Sequence, residues 1–339
     1  MAKQAKTAKR SGGIGTLPRW NLDDLYSGPG SKVMARDLAR AEKLAVAFEK
    51  VNKGRIKSLS GAKLGASVAE FEALDEILSK IMSYAQLLYA CSVTDASIGQ
   101  FFQTTSERVN AIATRLLFFT LEINRLPNQA IKQKLKSPAL KHYASWLRDV
   151  RAWRAHELSD DMEKLLHEKS PSGRAAWVRL FDETQASLRF PIGNKKLTEA
   201  EALDLLSSPK APVRKRAAQV VGKVMGENAR TFALITNTLA KDKEVEDRWR
   251  GFKEPQSSRN LSNYVEDKVV DALVNSVKKA YPKLSHRYYR MKAGWMGKKR
   301  LDYWDRNAPL PKSADKTIPW TRARDMVLSA YGDFSPEMA

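Results

Sequence analysis

The chain has 339 residues, with 59 Lys and Arg against 38 Asp and Glu and a formal charge of +21. Its 43% hydrophobic content excludes a disordered protein, and the length is enough for two domains and a core that needs no covalent staple. The one cysteine, Cys91, excludes an internal disulfide and a Cys-based zinc site, and no run approaches the roughly 18 apolar residues of a membrane span.

In chain order, residues 1–18 read as a solvated basic tail: the lysines of Met1 to Arg10 have no apolar segment behind them, as a secretory signal would. Trp20 to Tyr26 predicts one short turn with Asn21 as N-cap, in which Asp23 and Asp24 favour the helix dipole rather than forming a catalytic carboxylate pair. A helix is expected from Ser31 to about Asn52, ended by Gly54. Phe71, Leu74, Leu78, Ile81, Ala85 and Leu88 recur at three- and four-residue spacing, one face of a second helix. A third is expected from Ser97, capped with Gln100, carrying Val109, Ile112, Leu116, Phe119, Ile123 and Leu126 up to Pro127.

Further helices are expected near 138–155, 159–169 and 172–187. The alternation around Gly193-Asn194 predicts a small hairpin, and Thr198 with Glu201 a capping box. From Pro209 to Gly251 the pattern is one long helical stretch, with a bend or a close helix contact at Gly222 and Gly226, and i,i+4 pairs Glu244–Arg248 and Glu246–Arg250. Helices over 262–280, 284–295 and 319–331 complete the chain, with an irregular segment over 301–311. The class is all-α, a helical bundle followed by further helices, with one small hairpin. Boundaries are expected at 1–18 (tail), 19–197 and 198–339.

The excess charge is uneven. Between Ser276 and Arg324 bases far outnumber acids, the last of them including Lys312, Lys316, Arg322 and Arg324, and the acids are Asp302, Asp305 and Asp315. Tyr281, Tyr288, Tyr289, Trp295, Tyr303 and Trp304 interleave with the bases, as in a groove that holds single-stranded nucleic acid. No helix-turn-helix, RNP or zinc-finger pattern accompanies them, so the alternative is a basic helical surface with its aromatics turned inward.

Histidine serves both metal binding and acid–base steps, and the chain has four. His156-Glu157-Leu158-Ser159-Asp160 begins like a metallopeptidase His-Glu-x-x-His helix, but its fifth residue is Asp160, and Ser159 reads as the cap of a new helix. His167 to Pro171 places a proline at the ligand position. Asp242 to Asp247 lacks the spacing and glycine of a calcium loop. No phosphate-binding glycine loop and no nucleophile elbow occur, and Cys91 has no histidine near it in sequence.

Several segments nevertheless resemble, in order, the oligoendopeptidase F family. They are Trp20-Asn21-Leu22-Asp23-Asp24-Leu25-Tyr26, the run Arg230 to Arg250, Ser257 to Leu261, Val269 to Val274, Leu284 to Arg290, and Leu301 to Pro311. The resemblance runs from about residue 18 to the last residue. It implies a mostly helical zinc metalloendopeptidase that cuts short peptides inside a deep channel, usually in the cytoplasm. It also implies that the family's His-Glu-x-x-His helix and third ligand lie C-terminal to every segment matched here. On that basis the chain corresponds to an N-terminal half, an auxiliary helical domain plus the first helices of a catalytic domain. No catalytic or metal residue carries over. The chain alone is expected to cut no peptide bond, as a truncated or split product complementing a separate C-terminal half, and its helices beyond residue 198 to expose an apolar face. Arg259, Asn260, Tyr303, Asp305 and Arg306 are candidate residues of the channel wall. The alternative is a basic all-α binding module for peptides or nucleic acid.

Overall fold

A computed structural model describes residues 15–311 and 317–339. Most of the tail expected over 1–18, and Lys312, Asp315 and Lys316, lie outside the described residues. The chain divides into two compact units, residues 22–308 and the residues on either side of them.

In the larger unit Leu22 to Tyr26 forms a single turn closed by the Tyr26 N–H on the Leu22 carbonyl (3.1 Å). Helices α1 (Lys32–Asn52), α2 (Gly61–Cys91) and α3 (Ala96–Thr114) pack on one another. The helix expected from Ser97 to Leu126 is two. Asp95 is the cap, its Oδ1 accepting from the Ser97 and Ile98 N–H groups, so the acid two residues earlier displaces the expected Ser97–Gln100 box. At the far end the Thr114 hydroxyl bonds the Asn110 carbonyl and the chain tightens through Leu116 before α4 (Leu117–Arg125). Next come α5 (Asn128–Lys134), α6 (Pro138–Lys141), α7 (Ala144–Ala152) and α8 (Asp160–Lys169), so the stretch expected as one helix over 138–155 is broken.

The expected apolar stripes form the first core. Leu74, Leu78, Ile81, Val109, Ile112, Phe119 and Ile123 are all buried, and Phe48, Phe71, Phe118, Phe119 and Trp146 meet ring to ring. Each such side chain contributes about 1.5–3 kcal/mol on burial, which makes this cluster the main source of stability.

Helix α9 (Arg174–Ser187) leads to strands β1 (Phe190–Ile192) and β2 (Lys195–Leu197), an antiparallel hairpin with Phe190 opposite Leu197 and Gly193 at φ 60° in its turn. The Thr198–Glu201 capping box opens α10 (Glu199–Asp204) as the spacing predicts. The long stretch after Pro209 is two helices, α11 (Ala211–Glu227) and α12 (Ala229–Arg250), parted at Asn228, whose side-chain amide bonds the Val224 carbonyl. A second core of Leu188, Phe190, Ala202, Val220 and Val224 draws on both sides of residue 197. Then follow α13 (Ser257–Ser262), α14 (Asp267–Ala280) and α15 (Ser285–Trp295): the helix expected over 262–280 starts later, at Asp267, behind the separate short α13, and the helix expected over 284–295 forms as α15.

In the smaller unit α16 (Trp320–Phe334) is followed by a tight turn at Pro336–Met338. Among the described residues no helix is long and apolar enough to cross a membrane.

Candidate functional site

The expected wall residues sit on two joints. At the first, α13 meets the start of α14. Asn260 is buried and its Nδ2 donates to Asp267 Oδ1 (2.8 Å), while Ser257 Oγ donates to Asp267 Oδ2 (2.7 Å). These bonds hold the Asp267 carboxyl below the usual carboxylate range. The turn between the helices closes through the Val265 N–H on the Asn260 carbonyl (3.0 Å), which puts Tyr264 at φ 53°, a conformation glycine usually takes. Arg259, one residue before Asn260, is exposed.

At the second joint a short 3-10 turn, Tyr303–Asp305, is pinned against α11 by a fully buried carboxylate. Asp305 Oδ1 accepts from Arg214 Nη2 (2.7 Å), and Oδ2 accepts from Lys298 Nζ (2.5 Å) and the Asp302 N–H (3.2 Å). Burial raises the Asp305 pKa, but the bonds from Lys298 and Arg214 outweigh it and hold the carboxyl below its ordinary value. Arg214, also buried, donates through Nη1 to the Ser208 and Pro209 carbonyls and so fixes the start of α11. Lys292, buried on α15, donates to the Arg306 carbonyl (2.7 Å), and burial together with Arg214 lowers its pKa. Trp304 takes Lys215 Nζ over its ring at 5.5 Å. Tyr303 and Arg306 point outward, Tyr303 being 70% exposed.

The five candidates therefore divide. Arg259, Tyr303 and Arg306 offer exposed side chains, whereas Asn260 and Asp305 are consumed by internal bonds that position the segments carrying the other three. Sequence reading missed Arg214, Lys292 and Lys298. The available signal was an arginine at position 214 on the same helical face as Ala217, Ala218 and Val221, where an apolar residue is expected.

The histidine motif does not assemble. The His156 Nδ1–H donates to the Arg250 carbonyl (2.9 Å) and its ring stacks on Phe252. Glu157 turns to the Asn124 amide, and burial raises its pKa, while Asp160 pairs with Arg125. Arg250 also grips Glu163 through both terminal nitrogens (2.6 and 2.9 Å), which outweighs burial and lowers the Glu163 pKa. These residues fasten the C-terminal end of α12 to α8. Among the described residues no three His, Cys, Asp or Glu side chains are grouped as metal ligands, so the donors present do not fit a zinc ion. A groove of about 900 Å³ beside α3 and α8 is lined by alternating acids and bases, Glu49 with Arg115 among them, and holds neither imidazole nor thiol.

The family model described as Oligopeptidase F matches residues 122–190. Oligopeptidase PepF of Bacillus subtilis (strain 168) is 24% identical over 332 residues, 94% of this chain and 48% of its own length. The Oligoendopeptidase F homolog of Lactococcus lactis subsp. lactis (strain IL1403) is 22% identical over 303 residues, 86% of this chain and 49% of its own. The crystal structure of oligoendopeptidase-F from Enterococcus faecium aligns with a TM-score of 0.73 at 22% identity, covering 82% of this chain and 56% of that one. The chain spans about half the length of the curated relatives it matches. It is an all-α protein with an oligopeptidase fold. By sequence and fold together, it is similar to the oligoendopeptidase F family.

Proposed function

We propose that the chain supplies the non-catalytic half of a zinc endopeptidase acting on short peptides, and that alone it hydrolyses none. The observation that carries this reading is the extent of the likeness: 94% of this chain aligns with only 48% of PepF. Residues 19–197 serve as the auxiliary helical domain, and those from 198 onward begin the catalytic domain. The catalytic half that completes the peptidase carries the zinc ligands, and zinc bound there supplies an activated water. This chain's own part is positional. Asp305 and Asn260 hold two segments rigid, and Arg259, Tyr303 and Arg306 project from them toward a bound peptide, where guanidinium groups take carbonyl or carboxylate oxygens. The sole cysteine, a free thiol at Cys91, fits a cytoplasmic protein.

The test is a peptidase assay on the purified chain with a quenched fluorescent peptide, with and without added zinc. No turnover is expected in either condition. Zinc-dependent cleavage abolished by a chelator would overturn the reading.

A further inference from the structure

Between Asp271 and Asp302 the sequence holds nine Lys and Arg and not one carboxylate. The same stretch carries an uncovered apolar stripe. Leu284, at the cap of α15, then Tyr288, Met291 and Trp295 recur at spacings of four, three and four, and are 67%, 43%, 43% and 49% exposed. At roughly 100° per residue, Arg287 lies about 40° and Arg290 about 100° from Met291 around the helix, so two guanidinium groups border the stripe on one side. The ion pairs of this region are those of Lys268 with Glu266 and of Lys298 with Asp302 and Asp305; among the described residues none engages Arg287 or Arg290.

Two properties of this face choose its occupant. Tyr288 and Trp295 could stack on nucleobases, but Leu284 and Met291 between and beside them offer no π face, and the four together have the four-three-four spacing that receives side chains from a second helix. The unpaired cationic border calls for carboxylates beside that apolar contact, since complementary charge sets orientation and association rate while buried apolar area supplies affinity. We propose that the α15 stripe docks an amphipathic helix with acidic borders. On the reading given above, that helix belongs to the half that completes the peptidase.

The experiment titrates the full chain against three labelled probes by fluorescence anisotropy: a helical peptide of Leu and Glu about 20 residues long, its counterpart with every Glu replaced by Lys, and single-stranded oligothymidine of matching length. The Glu peptide is expected to bind at least about ten-fold tighter than the Lys peptide, and more weakly as salt rises. Leu284→Glu with Met291→Glu should weaken it at least about ten-fold with unchanged circular dichroism. Arg287→Glu with Arg290→Glu, both on the surface, should reverse the preference toward the Lys peptide. Equal binding of the two peptides, no binding, or insensitivity to the stripe substitutions would overturn the proposal. So would tight oligothymidine binding lost only in the arginine variant, which would assign the face to nucleic acid. Cleavage by the chain alone would sink the functional reading and leave this titration standing; failure of the Glu peptide would do the reverse.

Discussion

Asp305 carries more of the site than any other single side chain. It has no solvent contact, and its two oxygens receive Arg214, Lys298 and a backbone N–H of its own turn. Removing its charge leaves the Arg214 guanidinium buried without a counterion, which costs about 3–5 kcal/mol in comparable pairs. Asp305→Asn is therefore expected to lower the unfolding free energy by about that amount in urea titration at neutral pH. The sign of the pH dependence follows from the direction of the shift. A carboxyl held below its unfolded value of 3.8 contributes its full stability above that pH and loses it as the pH falls through the folded value. The variant should thus show a shallower acid limb than the parent below about pH 4. An equal loss of stability at every pH would mean that Asp305 acts through packing rather than charge.

Identical glycine substitutions should have opposite signs on different helices. A methyl on Gly65 of α2 would lie 2.7 Å from the Ala139 carbonyl carbon and 2.9 Å from the Leu140 N, both backbone atoms, so α6 would have to move away. On α11 a methyl at Gly222 meets nothing within 4 Å. Thermal melts should place Gly65→Ala below the parent, and Gly222→Ala above it by the roughly 1 kcal/mol that alanine gains over glycine in a helix. Of the bend or close contact expected at Gly222 and Gly226, no close contact forms, the chain parting instead at Asn228, and a close helix contact lies at Gly65. This pattern runs through the comparison of sequence with structure. Apolar periodicity made the faces of α2, α3 and α4 legible, and local cap chemistry made the hairpin and the Thr198–Glu201 box legible, because each depends on residues a few positions apart. Helix ends such as those at Leu116 and Asn228 were not, because a hydroxyl or amide turned back on a carbonyl decides them. Asp305 was named as a channel-wall candidate, not as a buried anchor: its partner Arg214 is 91 residues away, and no local pattern joins them.

Across the whole molecule burial is uneven. In the core of α2, Leu64, Ile81 and Ala85 have no exposure at all, whereas α14 has no buried residue and leaves Leu273 63% exposed. A helix of 14 residues is marginal in water without tertiary packing. The bonds from Ser257 and Asn260 to Asp267 secure only its first turn. Opening α14 therefore sacrifices little apolar contact, while opening α2 dismantles the first core. Hydrogen exchange followed by mass spectrometry on the chain alone should find the amides of Val270 to Ala280 at least about a hundred-fold less protected than those of Leu74 to Ala85. Equal protection would mean that the apolar face of α14 is covered in solution. Adding the acidic helical peptide should leave α2 unchanged and slow exchange along α15, because a ligand stabilises the elements it touches only in the state it binds.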